Sequence, residues 1–202
     1  RLKDNPALTT NDPFYIERLK QSGPSWLVRA WVEGDWNIVA GGMFDDVWSN
    51  KNLVESFPIP NTWRVDRSFD WGSSRPYSVG WWAESDGTAF MYRGQERTVP
   101  RGSLFRIGEL YGSVGGKNEG LRQTAVEVAR IIREYENTHF QERTIQPGPA
   151  DSSIYNLEMN GRSIAQDMAE QGISWTQADK RPGSRKLGWE RIRTMMRNAG
   201  SE

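Results

Sequence analysis

Between Thr62 and Tyr111 the residues are patterned for strands, and from Gly120 onward for helices separated by short extended pieces. Trp63–Asp70 alternates apolar and polar side chains and ends in Trp71-Gly72-Ser73-Ser74, a turn; Tyr77–Ala83 reads as a second strand. Ser85-Asp86-Gly87 predicts a hairpin into a strand over Thr88–Tyr92, Arg93–Arg101 is a charged excursion, and Leu104–Tyr111 returns as a strand. Leu121, Ala125, Val128, Ile132 and Tyr135 then recur at four-three-four-three spacing, which predicts a helix over Gly120–Asn137 with that face buried. Thr144–Asp151 is a strand running into a carboxylate, Gly161–Gln171 a helix closed by Gly172, and Ile173–Trp175 another short strand. Ser184 caps a last helix that turns Leu187, Ile192 and Met196 inward. Hairpin-joined strands followed by helix, strand, helix, strand and helix predict an α/β fold. Its mixed sheet has an antiparallel half and a parallel half built by crossovers, with flanking helices.

The 202 residues suit one large domain, or one domain with an arm. Residues 1–57 read as the arm. Asn11-Asp12-Pro13 opens a helix that Gly23-Pro24 stops, Ser25–Glu33 fits a second helix, and Asp35–Phe44 is an extended or hairpin segment with a glycine turn. Pro58 and Pro60 bracket the break, so the sheet-bearing domain is expected over 58–202.

Composition narrows the chemistry. With no cysteine there is no disulfide framework, no thiolate catalysis and no cysteine zinc site; with no signal peptide as well, a reducing, intracellular setting is expected. One histidine, His139, leaves little for histidine-built metal sites or a Ser-His-Asp triad, and its place just after a helix suits a C-terminal cap. A mean hydropathy of −0.74 and no long apolar run predict no transmembrane helix and no membrane partner. Ten tryptophans argue for a packed core. Lys+Arg and Asp+Glu balance at 26 each, yet the charge is polarised. Lys180, Arg181, Arg185, Lys186, Arg191, Arg193 and Arg197 face a lone acid, Glu190, in the C-terminal stretch, whereas residues 1–63 hold eight acids against six bases. A basic stretch of this kind either holds a phosphate backbone without reading sequence or forms a solvated helix face.

Gly112–Asn118 imitates a phosphate loop, but Tyr111 stands where its first glycine is required and Asn118 where Ser or Thr is, so no ATPase site is expected. The more informative feature is a pair of acids at strand ends, Asp70 and Asp151. If their strands are parallel neighbours, both carboxylates project from one edge of the sheet, where sites form in open sheets. Two such carboxylates repel unless one is protonated or a cation lies between them; Mg2+ or Mn2+ prefers these hard oxygens. Ions held this way, two of them roughly 3.5–4 Å apart in two-metal sites, hydrolyse phosphodiesters. The competing reading is a pair of turn or capping aspartates. Glu109 either adds a carboxylate to the same edge or pairs with Arg106 or Arg64.

Several short motifs, in order along nearly the whole chain, resemble the C-terminal nuclease domain of the tailed-bacteriophage terminase large subunit. They are Gly34-Asp35-Trp36-Asn37 with Gly41-Gly42-Met43-Phe44, Phe69-Asp70-Trp71-Gly72 with Pro76, and Ala150-Asp151-Ser152-Ser153-Ile154 followed by Asn160-Gly161-Arg162-Ser163-Ile164. Gly172-Ile173, Ala178-Asp179-Lys180 and Gly183-Ser184-Arg185-Lys186-Leu187-Gly188-Trp189 complete the series. The resemblance implies a ribonuclease H-like fold and a Mg2+- or Mn2+-dependent endonuclease that cuts concatemeric double-stranded DNA during packaging. It implies Asp70 and Asp151 as metal ligands and catalytic residues, and the terminase small subunit and portal protein as partners in the cytoplasm of a bacterial host. Residues 1–57 would then be the tail of a packaging ATPase domain. The family's third acidic residue has no counterpart here, with Glu109 and Asp179 as auxiliary candidates, so weak or absent cutting is expected of this fragment. Lys180, Arg181, Arg185 and Lys186 are the expected phosphate contacts. A non-catalytic adaptor of the same fold, binding DNA or portal, and an integrase- or resolvase-type nuclease are the alternatives.

Overall fold

The strand Arg64–Asp70 (β1) organises the sheet: Val65, Arg67 and Phe69 are buried, while Arg64, Asp66, Ser68 and Asp70 face the other way. This computed structural model describes residues 12, 14–21, 28, 31–32, 42–115, 118–141 and 143–199. The chain divides into two compact units, Ser56–Arg181 and Arg1–Glu55 with Pro182–Glu202.

In the first of these, β1 pairs antiparallel with β2 (Ser78–Glu84), and β2 antiparallel with β5 (Leu104–Tyr111), with a register shift at Trp81/Trp82. On its other side β1 runs parallel to β6 (Ile145–Gln146) and β7 (Pro149–Ala150), and β7 runs parallel to β8 (Thr176–Gln177). The order β5-β2-β1-β7-β8, half antiparallel and half parallel and flanked by helices, is a ribonuclease H-like α/β fold. The expected mixed sheet is present with both halves as predicted.

Helix α2 (Ala125–His139) covers the buried face. It starts after Thr124, not at Gly120, because Thr124 and Glu127 form a reciprocal capping box. Leu121 therefore lies outside the helix and is exposed, whereas Ala125, Val128 and Ile132 are buried as predicted. They pack with Phe69, Val79, Trp81, Ile154 and Met168, the last from helix α3 (Ile164–Glu170). The Trp81 ring is fully buried and stacks on Tyr135 at 4.4 Å. Its Nε1 donates to Glu136 Oε1 at 2.9 Å, and the same oxygen accepts from Arg67 Nη1 at 2.9 Å. Arg67 also donates to Ser174 O at 3.0 Å and lies over Trp175, so this buried guanidinium is paired, hydrogen-bonded and stacked. Trp82, its neighbour, points to the opposite face and donates to Ser68 Oγ at 3.0 Å.

The expected hairpin at Ser85-Asp86-Gly87 is a turn that does not pair its flanking strands. Thr88 N donates to Asp86 Oδ1 and Gly87 N to Ser85 Oγ, both local side-chain turns. The hairpin lies further on, within the charged excursion: β3 (Phe90–Tyr92) pairs with β4 (Gln95–Arg97) across Arg93-Gly94, with φ of 51° and 75°. Two consecutive positive φ values fit a two-residue primed turn. Phe90, Trp63 and Phe105 close around Phe57 to form a second aromatic cluster.

In the other unit, helix α1 (Tyr15–Gln21) begins where Asp12 accepts from Phe14 N at 3.2 Å. Helix α4 (Ser184–Asn198) has Gly183 as its N-cap with no side-chain cap bond, so Ser184 is its first residue and not its cap. Leu187 and Ile192 are exposed, contrary to the inward face expected of them. Arg193 grips Asp46 through both terminal nitrogens at 2.6 Å. The predicted second helix over 25–33, the Asp35–Phe44 segment and the Gly112–Asn118 loop lie wholly or partly outside the described residues. Among the described residues no helix is long and apolar enough to cross a membrane.

Candidate metal centre

The parallel half of the sheet brings its strand ends to one edge. Phe69 of β1 is paired with Ala150 of β7, so Asp70 and Asp151 each follow a paired residue on neighbouring strands that run the same way. Paired strands of this kind lie about 4.8 Å apart; Asp70 is the last residue of β1, and Asp151 is the first residue beyond β7. Beyond Asp70 the chain turns at once and is fastened: Gly120 N donates to Ser74 O at 2.9 Å and Arg122 N to Ser73 O at 3.0 Å. Beyond Asp151 a short 3-10 turn over Ser152–Tyr155 begins, and Asp151 is its N-cap, accepting from Ser153 N at 2.9 Å.

The two acids differ in environment. Asp70 is exposed, and among the described residues no hydrogen bond or ion pair engages its carboxylate. Asp151 has a side chain 31% exposed, with Oδ1 on Ser153 N and Oδ2 on Lys180 Nζ. Lys180 reaches it from beyond β8, whose exit is tied to β7 by Ala178 N donating to Ala150 O at 2.9 Å. The Lys180 ammonium, then the Ser153 amide, hold the Asp151 carboxyl at about 2, below its ordinary 3.8.

A carboxyl whose folded pKa is depressed adds stability at every pH above its unfolded value and forfeits it as pH falls through the folded one. After discounting for solvent on both partners, we expect Asp151 to contribute roughly 1 kcal/mol. In urea unfolding, the gap between the native protein and Asp151→Asn should be full above pH ~5 and close between pH ~4 and ~2. A gap that does not vary with pH would show that the charge is not what matters.

Glu109 does not join the pair. It stands on β5 opposite Gly80, which is opposite Ser68, so all of β2 lies between it and β1, roughly 10 Å from Ser68 by strand spacing and further still from Asp70. It pairs with Arg106 at 2.5 Å, the alternative the sequence left open. Among the described residues no group of three or more His, Cys, Asp or Glu converges as a metal cage would. Asp179 is engaged by Arg181, with Nη2 to Oδ2 at 2.7 Å, and its carboxyl lies at about 2 because of that contact. Of the expected phosphate contacts, Lys180 rests on Asp151, Arg181 on Asp179, and Lys186 lies 3.9 Å from Glu190. Arg185 is exposed in the first turn of α4, in the other unit. His139 is the last residue of α2, beside Tyr135 and Phe140, and the C-cap is Phe140 instead, because the helix runs two residues beyond the expected end at Asn137. The contact that sequence reasoning missed is Lys180 on Asp151, 29 residues apart, for which the sequence carries no local signal.

Carboxylate oxygens are the donor type that a hard divalent cation takes, and the two at these strand ends are the ones available to it. Asp70 offers an unengaged carboxylate, Asp151 already carries a cationic partner, and water can complete the coordination of Mg2+ or Mn2+.

No protein-family model matches the chain, and no curated protein matches it by sequence. Among solved structures it is similar to the large terminase of a thermophilic bacteriophage in its crystal form 2, with a TM-score of 0.51 and 14% identity over 91% of this chain and 38% of that one. Crystal form 3 of that protein gives 0.49 and 16% over 89% and 39%. The P22 large terminase nuclease domain gives 0.48 and 12% over 78% and 69%. The chain thus has the fold found in the large terminase of the thermophilic phage and spans about two fifths of that protein's length.

Proposed function

We propose that this chain is the nuclease part of a phage terminase large subunit, a divalent-metal-dependent endonuclease acting on concatemeric double-stranded DNA during genome packaging. The observation that carries the reading is the Phe69–Ala150 register, which brings Asp70 and Asp151 to one edge of a ribonuclease H-like sheet. The likeness in fold to a large terminase over 91% of the chain, and the motif series in the sequence, support it. Asp70 and Asp151 would hold Mg2+ or Mn2+, two ions in the full site, which when bound supply water activation and charge stabilisation at the phosphodiester. The protein's own part would be to present the two carboxylates at the ends of β1 and β7 and cations to the phosphates, Lys180 and Arg181 from this unit and, each by itself, Arg185 and Lys186 from the other. The partners in this reading are double-stranded DNA, the terminase small subunit and the portal protein, and the setting is the cytoplasm of the bacterial host.

A second reading, a non-catalytic adaptor that binds DNA or portal, draws on two observations. No third acid converges among the described residues, and three of the four basic side chains are already paired with carboxylates of the chain. One experiment separates the two. Incubated for long times with supercoiled plasmid, the protein should nick it slowly in Mn2+ and cease on addition of EDTA. Salt-sensitive DNA binding that ignores the metal, with no nicking, would replace the nuclease reading with the adaptor.

A further inference from the structure

We infer that Lys180 is the resting counter-ion of the cation site: its ammonium occupies Asp151 when no divalent ion is bound and leaves when one binds. This rests on the metal-site reading above and adds a residue to it. The two oxygens of Asp151 are held by unlike donors. Oδ1 accepts from the Ser153 amide, the bond by which Asp151 caps the 3-10 turn, and this donor is part of the turn's own backbone. Oδ2 accepts from Lys180, whose side chain is 49% exposed on a flexible four-carbon stem. The lysine is therefore the partner that can be exchanged.

The strand order makes the contact possible. β7 and β8 run parallel and end together, and the Ala178–Ala150 hydrogen bond fixes the point beyond which the Lys180 side chain reaches Asp151. Asp70, on the next strand, has no such partner among the described residues, so the lysine balances one carboxylate of the two and leaves the other open. An ammonium and a divalent cation cannot share the same carboxylate oxygen without repulsion at close range. A half-exposed ion pair is weak, so its displacement costs a divalent ion little. Lys180 thereby keeps the two acids from facing each other uncompensated in the ion-free protein and sets a modest threshold for loading.

The test is a Mn2+ titration of the full chain followed by electron paramagnetic resonance, a reading that needs no turnover. Lys180→Gln should bind Mn2+ about three- to tenfold tighter than the native protein, the margin set by the weakness of exposed ion pairs. Lys180→Arg, which keeps the charge, should bind no tighter than native. Arg130→Gln, which removes a positive charge from the helix, should leave the affinity unchanged and so exclude a general charge effect. If Asp70→Asn weakens Mn2+ binding but Lys180→Gln does not strengthen it, the counter-ion role is overturned while the metal site stands. If Asp70→Asn has no effect on Mn2+ binding either, the metal site itself falls, and the counter-ion role with it.

Discussion

Asp70→Asn is expected to abolish the weak Mn2+-dependent nicking of the native chain, while leaving the fold unchanged. The two halves of that expectation have separate physical grounds. Asparagine keeps the shape and one acceptor oxygen but carries no charge, and a neutral amide is a poor ligand for a hard dication. Losing one of two anionic ligands removes several kcal/mol of charge stabilisation from the hydrolytic step, and about 4 kcal/mol corresponds to a thousandfold. The fold should not notice, because the Asp70 side chain is exposed and no described residue pairs with it. Surface changes of that kind stay within about 0.5 kcal/mol, so the melting temperature should move by a few degrees at most. Asp151→Asn is the instructive contrast, since it also removes an ion pair with Lys180 and so lowers stability along with activity. Undiminished nicking by Asp70→Asn would end the nuclease proposal; a large fall in melting temperature would assign the residue a structural role.

How much of this is legible in the sequence depends on whether the cause is local. The alternation from Val65 to Phe69 marks a strand with one buried face, and the same alternation puts Asp70 at its end. The apolar spacing at Ala125, Val128 and Ile132 marks the buried stripe of α2, and the start of the helix is equally readable in Thr124 and Glu127. Spacing alone wrongly includes Leu121, because it does not register where a cap interrupts it. The turn at Ser85-Asp86-Gly87 is readable, yet its outcome depends on which strand lies beside β2. That partner is β5, some twenty residues on, and no local pattern announces it. The true hairpin hides in a charged stretch because Arg93 adopts a left-handed conformation usually left to glycine or asparagine. The exposure of Leu187 and Ile192 shows the same limit, since amphipathic spacing identifies a stripe without naming what it packs on. Lys180 on Asp151 is wholly tertiary: it exists because β7 and β8 are neighbours, and neither residue's surroundings in the chain imply the other.

Gly148→Ala is the substitution expected to damage the protein most. Gly148 lies between β6 and β7, where the chain leaves one pairing with β1 and begins the next. A Cβ there would stand 1.9 Å from Arg67 O and 2.9 Å from Arg67 C, backbone atoms in the middle of β1. A flexible side chain can move aside, but a central strand paired on both edges cannot, so the added methyl must push the Gly148 segment outward. Gly148 O accepts from Thr176 N at 2.8 Å, so the displacement would also strain the tie to β8. Overpacking a well-filled interior costs about 1–3 kcal/mol when neighbours can relax, and here the obstacle is backbone, so a loss of about 3 kcal/mol or more is expected. That should lower the midpoint of urea unfolding and cut the melting temperature by roughly 10 °C. The effect should reach the site as well. Only Pro149 and Ala150 separate this residue from Asp151, and the Phe69–Ala150 pairing that aligns the two carboxylates depends on the chain passing close to Arg67. Mn2+ affinity measured well below the unfolding temperature should therefore fall in Gly148→Ala, although no metal ligand has been changed. An unaltered unfolding midpoint would mean that the β6–β7 segment does not run against β1 here, and the shared edge of Asp70 and Asp151 would lose its structural basis.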